Sequence, residues 1–405
     1  MDRTGLEECL DTLGTPSYLF DLDLFAKRAG LVRAYFGSET ALCFSIKANP
    51  FLVGFLPDEI DRLEVCSPGE LAICERAGVP MERVIFSGVN KSSEEIARAA
   101  EDGVGTLTAE SPIHVHMLNM VGSTRGEALP VLLRVTDVKG GSQFGMDEAE
   151  VFRILAERRQ YPGIRIVGLH YFTGTQKRKA KKIIEELDYL SGLIQRVWDE
   201  LRFELRCVEY GTGLAVDYFS DDAETAEELR LSEIAESIRA FAGRTELTVE
   251  MGRFFAAPCG YYFTRVVDVK TNCGIRYAIT DGGTNHLKYD GQLQGMQIPE
   301  ILHLRRNDSS PAAEPEKWTV CGSLCTTADV LARNVELRGL EVGDILAFGR
   351  TGAYSVTEGI ALFLSREIPA VAVRSGKTGL QLLRREIPAD RFNTLCCPGP
   401  EDTVL

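Results

Sequence analysis

A lysine interrupts an apolar run in "CFSIKANP" (43–50) and is followed at once by Asn49 and Pro50. At such a position Lys47 either lays its stem along apolar surface with the ammonium in water, or is kept for chemistry. A neutral lysine amine is a nucleophile toward a carbonyl carbon. Two later stretches carry groups that could serve it. "EYGTGLAVDY" (209–218) sets Gly211 and Gly213 in a turn, where backbone N–H groups can approach an anion closely. "VEMGR" (249–253) places the Glu250 carboxylate three residues before the Arg253 guanidinium. Singly, each has a plain structural reading: an exposed lysine, a simple turn, an internal ion pair. Their meaning depends on the elements that carry them.

Short β-rich runs alternate with helical patterns over the first 255 residues. Candidate strands are 41–48, 63–67, 84–88, 105–109, 131–136, 166–172, 207–211 and 247–252. Between them lie helical segments. The clearest runs through Ile183, Leu187, Leu190, Ile194, Val197 and Leu201, apolar every three or four residues. Eight strands separated by helices predict a (β/α)8 barrel, with a doubly wound sheet as the competing arrangement. In a barrel, reactive groups gather at the C-terminal strand ends. Lys47 is there, as are Arg134, His170 with Thr175, Tyr210 with Gly211 and Gly213, and Glu250 with Arg253. After Cys259, β-branched and aromatic runs such as "YYFTRVVDVK" and "DILAFG" alternate with Gly, Asn and Asp, which predicts a β-domain. "AVAVRSGKTGLQLL" reads as a hairpin turning at Ser-Gly-Lys-Thr-Gly. "REIP" occurs twice, at 366 and 385, a match short enough to arise by chance.

Composition narrows the class. The chain has 405 residues, 44% hydrophobic and 26% charged, as in globular proteins. Its formal charge of −14 disfavours nucleic acid and anionic membranes as partners. The N-terminal "MDRTGLEECLDTLG" lacks the apolar core of a secretory leader, and no run of about 18 apolar residues predicts a membrane span. Eleven cysteines without zinc-type pairs, and five unclustered histidines, point to reduced thiols in a cytoplasm and to no metal site.

A strand-end lysine, a glycine turn after strand seven and an acid after strand eight together match the needs of pyridoxal 5'-phosphate (PLP). The lysine forms a Schiff base, the turn grips phosphate, and the acid keeps the pyridine nitrogen protonated. The sequence also resembles a family: the fold-type III, alanine-racemase-like PLP enzymes, in their diaminopimelate, ornithine and arginine decarboxylase branch. The resemblance rests on "GTPSYLFDLD" (14–23), "FSIKANP", "EVCSPGEL" (64–71), "FGMD" (144–147), "GLHYFTGTQ" (168–176), "YGTGLAVDY", "VEMGR", "CGSLCTTADVL" (321–331) and "GAY" (352–354), in that order. It implies a PLP barrel over 23–255, a mainly β C-terminal domain over 256–405, and an N-terminal segment, 1–22, that completes the β-domain. It also implies a homodimer with shared active sites acting on an amino acid.

By the same resemblance Lys47 is the Schiff-base lysine, with an amine kept neutral by desolvation and nearby positive charge. Glu250 faces the pyridine nitrogen, which favours a decarboxylase over a racemase of the same fold. Thr175, Gly211, Gly213, Arg253 and Tyr354 match phosphate-side contacts. Phe172 replaces a histidine that stacks on the cofactor ring. Cys325 matches a cysteine that the partner subunit contributes to return a proton to the carbanion left by CO2. Lys288, Thr326 and Asp329 are implied on the substrate side. Diaminopimelate decarboxylases carry an acid after the cysteine to hold a distal ammonium group, whereas this chain has Thr326. The expected activity is therefore α-decarboxylation of diaminopimelate, a related diamino acid or an amino-acid conjugate. A racemase and a catalytically silent homologue are the alternatives.

Overall fold

The computed structural model describes residues 3–137, 140–305 and 314–394. The chain divides into two compact units, one of residues 22–217 and 221–258, the other of residues 1–21, 218–220 and 259–405. Strand β1 (Ser17–Asp21) belongs to the second unit, and the next eight strands close a parallel barrel in the first. These are β2 (Thr40–Ser45), β3 (Arg62–Val65), β4 (Val84–Phe86), β5 (Thr106–Ala109), β6 (Leu129–Val135), β7 (Ile164–Tyr171), β8 (Cys207–Gly211) and β9 (Glu246–Met251). Closure is made by β9 pairing with β2, with Cys43 opposite Glu250. The doubly wound alternative is thus excluded.

Inside the barrel Cys43, Ile85 and Leu132 pack with Val167 and Cys207, an apolar layer drawn from β2, β4, β6, β7 and β8. Helices that follow strands start from built-in caps. Ser67, Ser111 and Asp147 accept from the backbone N–H three residues on, opening Pro68–Arg76, Pro112–Arg125 and Glu148–Ala156. Ser92 and Glu95 form a reciprocal capping box for Ser93–Glu101. Each cap is worth about 1 kcal/mol and fixes where a strand-end loop stops. The helix Ala180–Leu201 buries Ile183, Leu187, Leu190, Leu193 and Val197, with Leu193 rather than Ile194 completing the stripe.

Strand β2 stops at Ser45, short of the predicted 41–48. Pro50 holds Asn49 extended at φ −164°, and the chain leaves the wall through two 3-10 turns, Ile46–Ala48 and Pro50–Phe55. The Asn49 side chain accepts from Phe51 N at 3.1 Å. Lys47 therefore sits in a tight turn beyond the strand.

The second unit is a nine-stranded sheet of β1 with β10 (Gly260–Asn272), β11 (Ile275–Thr280), β12 (Ile301–Leu304), β13 (Pro315–Cys321), β14 (Val330–Arg338), β15 (Ile345–Phe348), β16 (Ala370–Ser375) and β17 (Gly379–Arg384). Every residue of β1 is buried, paired antiparallel to β10 and parallel to β16. The N-terminal segment therefore supplies an internal strand. β16 and β17 form the predicted hairpin, closing at Ser375 opposite Gly379. At its open end the two "REIP" copies meet: Ile368 and Ile387 exchange backbone hydrogen bonds of 2.8 and 3.1 Å. No helix among the described residues is long and apolar enough to cross a membrane.

Candidate active site

At the C-terminal mouth of the barrel Lys47 Nζ donates to Glu64 Oε2 at 2.5 Å. It lies 3.4 Å from Glu250 Oε1 and 3.5 Å from Cys66 Sγ. Four elements converge here: the turn after β2, strand β3, the loop after β3, and β9. Glu64 and Glu250 are 2% and 7% exposed, so both carboxylates are removed from water and must be paired. Glu250 Oε1 accepts from Ser45 Oγ at 2.7 Å, while its Oε2 meets His170 Nε2 at 3.3 Å. Cys66 donates its thiol to Glu64 Oε1 at 2.8 Å, and Cys66 N donates to Glu70 Oε2 at 2.7 Å.

Electrostatics at this cluster reverse one expectation. Burial alone would lower the Lys47 ammonium, but the Glu64 and Glu250 carboxylates outweigh it and hold it well above the ordinary lysine value. Without a bound carbonyl, Lys47 is a charged ammonium. The expected nearby positive charge is replaced by two acids. Burial pushes the Glu250 carboxyl up, yet Lys47, His170 and Ser45 together bring it below the usual carboxylate range. Burial and Glu64 push the Cys66 thiol far up, so it is a neutral donor rather than a thiolate. Two other lysines nearby are committed elsewhere. Burial takes Lys91 down to about 8, and its Nζ donates to the backbone carbonyls of Ser87 and Gly88. Lys177 is paired with Glu186 at 2.6 Å.

The turns after β7 and β8 are built against each other. Lys177 N donates to Gly213 O at 2.8 Å, and Ala215 N to Lys177 O at 3.1 Å. Gly213 has φ +59°, and a Cβ there would lie 2.0 Å from Gly174 O. At Gly211 a Cβ would lie 2.5 Å from the Phe172 ring. No side chain fits either position, so glycine is dictated by close approach. Phe172 thus lies against the end of β8. Thr175 is exposed on the facing loop. Arg253 opens the short helix Arg253–Ala256 directly after Gly252, whose hydrogen faces the turn of Lys47: a Cβ there would be 3.0 Å from Ala48 Cβ. Arg134 is held in a buried ion pair with Glu110 at 2.7 Å. A cavity of about 770 Å³ opens at the opposite mouth, lined by strand beginnings such as Ala41, Arg62, Thr106 and Pro130. Barrel chemistry is built on the other rim, and the groups just described are there.

In the β-unit Cys325 and Thr326 are exposed on the loop between β13 and β14. Asp329, expected to contact substrate, is only 3% exposed and turned inward. Its Oδ1 accepts from Thr284 N and Oγ1 at 2.7 and 2.9 Å, and its Oδ2 accepts from Leu324 N at 2.7 Å. Asp329 therefore anchors the Cys325 loop. Lys288 forms an exposed ion pair with Glu358 at 2.9 Å. Tyr354 is half-buried with φ +65° at the entry to the short helix Ser355–Glu358. The sequence reading passed over Glu64, Cys66, Ser45 and Glu209. The available signal was an acid inside an apolar strand, Glu64 in "LEV" and Glu209 in "CVEY".

An amine ringed by acids, one of them backed by His170 and Ser45, and two glycine-tight turns stand on one barrel rim. The chain matches the model of the pyridoxal-dependent decarboxylase family, pyridoxal-binding domain, over residues 22–257. It belongs to that family, and its cofactor is PLP. It is 27% identical to a Niallia circulans decarboxylase of an L-glutamyl group on the BtrI acyl-carrier protein, over 96% of this chain and 95% of that one. It is 26% identical to Zymomonas mobilis diaminopimelate decarboxylase, covering 95% and 93% of the two chains. The crystal structure of Helicobacter pylori diaminopimelate decarboxylase complexed with L-lysine shares the fold at a TM-score of 0.81 and 23% identity, over 95% and 98% of the chains.

Proposed function

We propose that this PLP-dependent carboxy-lyase removes the α-carboxylate of an amino-acid conjugate or a diamino acid, with a conjugate favoured. The observation that carries the reaction type is the Lys47–Glu64–Glu250–His170 cluster. PLP, when bound, supplies an electron sink for the pair left behind as CO2 departs. The chain's residues supply the rest. Lys47 must lose a proton before its nitrogen can attack a carbonyl carbon, and Glu64 Oε2, at 2.5 Å, is placed to take it. Glu250, held ionised, would face the cofactor's pyridine nitrogen and favour its protonated form, and His170 and Ser45 fix the orientation of its carboxylate. The turns at Gly211 and Gly213, with Thr175, Arg253 and Tyr354, would hold the phosphate, and Phe172 would stack on the ring. The Cys325 thiol would return a proton to the reacting carbon from the second subunit of a homodimer.

Thr326 supports the preference for a conjugate. A hydroxyl cannot neutralise a distal ammonium as an acid does, and one similar protein acts on a carrier-bound glutamyl group. The Lys288–Glu358 pair is exposed, and such pairs are worth about 0–1 kcal/mol, so Lys288 can exchange partners for a substrate carboxylate. We also place the enzyme in a cytoplasm, supported by the free thiols of every described cysteine.

The test is CO2 release from the PLP-loaded chain across meso-diaminopimelate, ornithine, lysine, arginine, glutamate and glutamyl-pantetheine. Turnover is expected to be highest on the thioester conjugate. Preference for free meso-diaminopimelate would overturn the conjugate assignment, and no CO2 from any of them would overturn the decarboxylase. Glu250→Gln should retain PLP and lose about 10²–10³-fold in kcat, the usual cost of one preorganised charge-stabilising contact. An unchanged kcat at full PLP occupancy would remove Glu250 from its role.

A further inference from the structure

Glu209 lies on β8 and is 1% exposed, yet neither of its carboxyl oxygens has a hydrogen-bond partner among the described residues. Beside it lies a second such group. The parallel pairing of β7 and β8 sets His170 directly opposite Glu209. His170 is 2% exposed; its Nε2 meets Glu250, and its Nδ1 is without a partner among the described residues. Both side chains face the barrel interior. His170 reaches Glu250 on β9 past the intervening β8, and Glu209 follows the inward Cys207 by two residues, the period of a strand. Buried polar atoms are nearly always bonded, so two neighbouring ones lacking partners are best understood as each other's.

We propose that Glu209 is a positioning residue: its carboxyl O–H donates to His170 Nδ1, directly or through one water, and so fixes His170 as the Nε2–H donor to Glu250. With His170 a neutral imidazole, one ring nitrogen donates and the other accepts. Glu250, as a carboxylate, requires the donor, so Nδ1 is the acceptor and needs an O–H or N–H facing it. A carboxylate cannot donate, whereas a carboxylic acid can. Burial, then Glu250 and Glu64, push the Glu209 carboxyl well above the usual range, against the smaller pull of Lys47 and Arg62. Ionised, it would be a third negative charge beside Glu64 and Glu250. Kept neutral, it completes a chain from Glu209 through His170 to Glu250 that orients the acid behind the cofactor. The consequence for catalysis rests on the proposed role of Glu250, but the hydrogen bonds belong to the chain with or without PLP.

The experiment reads the tautomer of His170 by 15N NMR of histidine-labelled full-length chain, with and without PLP. There are five histidines, so His170→Asn assigns its signals. Wild type should show a protonated Nε2 and a bare, hydrogen-bonded Nδ1. Glu209→Gln, whose amide N–H can replace the O–H, should keep that signature. Glu209→Leu should lose it and give mixed tautomers. Infrared spectra of wild type minus Glu209→Gln should show a protonated-carboxyl C=O band. An unaltered His170 signature in folded Glu209→Leu overturns the proposal. So does the absence of the infrared band, which requires only wild type and the near-isosteric Gln variant. Neither readout depends on turnover, so an inactive enzyme on every substrate would count against the decarboxylase reading and leave this one standing.

Discussion

Lys47→Ala will release no CO2 from any substrate and will not retain PLP after borohydride reduction, a treatment that fixes the cofactor to the wild-type chain and adds its mass. The argument is local. Lys47 has an acid 2.5 Å away to accept its proton, whereas Lys91 and Lys177 are held by backbone carbonyls and by Glu186. Removing a nucleophile typically costs several orders of magnitude in rate. The variant also rearranges charge. In wild type the Glu250 carboxyl is depressed, a stabilising contribution present above its unfolded value and lost as pH falls through the folded one. Without the ammonium, burial is opposed only by His170 and Ser45, so the folded value rises toward the unfolded one. The contribution keeps its sign and shrinks: less stability is present above the unfolded value, and less is lost as pH falls. The melting temperature of the cofactor-free variant should therefore fall increasingly below wild type as pH rises through the carboxylate range. A variant that still captures PLP covalently would put the Schiff base on another lysine.

The barrel was legible because its strands are short apolar runs separated by helical periods, and that rhythm survives without tertiary information. The cluster around Lys47 was less so. An acid within a strand, such as Glu64 or Glu209, looks like any residue on a half-exposed face. Only closure of the barrel by β9 on β2 turns that face inward and makes the acid a buried charge. The charge state of Lys47 was missed for the same reason, since its sign depends on partners 17 and 203 residues away in sequence. Asp329 shows the converse. Its place in a motif suggested contact with substrate, but its three internal hydrogen bonds appear only once the 283–284 and 322–324 loops are brought together. Strand β1 gives no alternation because it is buried on both faces, so periodicity could not reveal it.

Chains carrying Lys47→Ala and chains carrying Cys325→Ala, each inactive alone, should recover activity when dissociated together and allowed to reassociate. Lys47 stands on the barrel rim, and Cys325 on an exposed loop of the β-unit whose Leu324 N donates to Asp329. If each site takes Lys47 from one chain and Cys325 from the other, a mixed dimer has one intact site and one doubly damaged site. Activity should then reach about half of wild type per mixed dimer and about one quarter under random pairing, by the combinatorics of a two-fold dimer. Cys325→Ala must itself be badly impaired, as expected if its thiol returns the proton to the reacting carbon. Cys325→Ser, with a much weaker acid at the same place, should be nearly as slow. If native mass spectrometry shows mixed dimers and activity still does not return, Lys47 and Cys325 do not meet across a subunit interface.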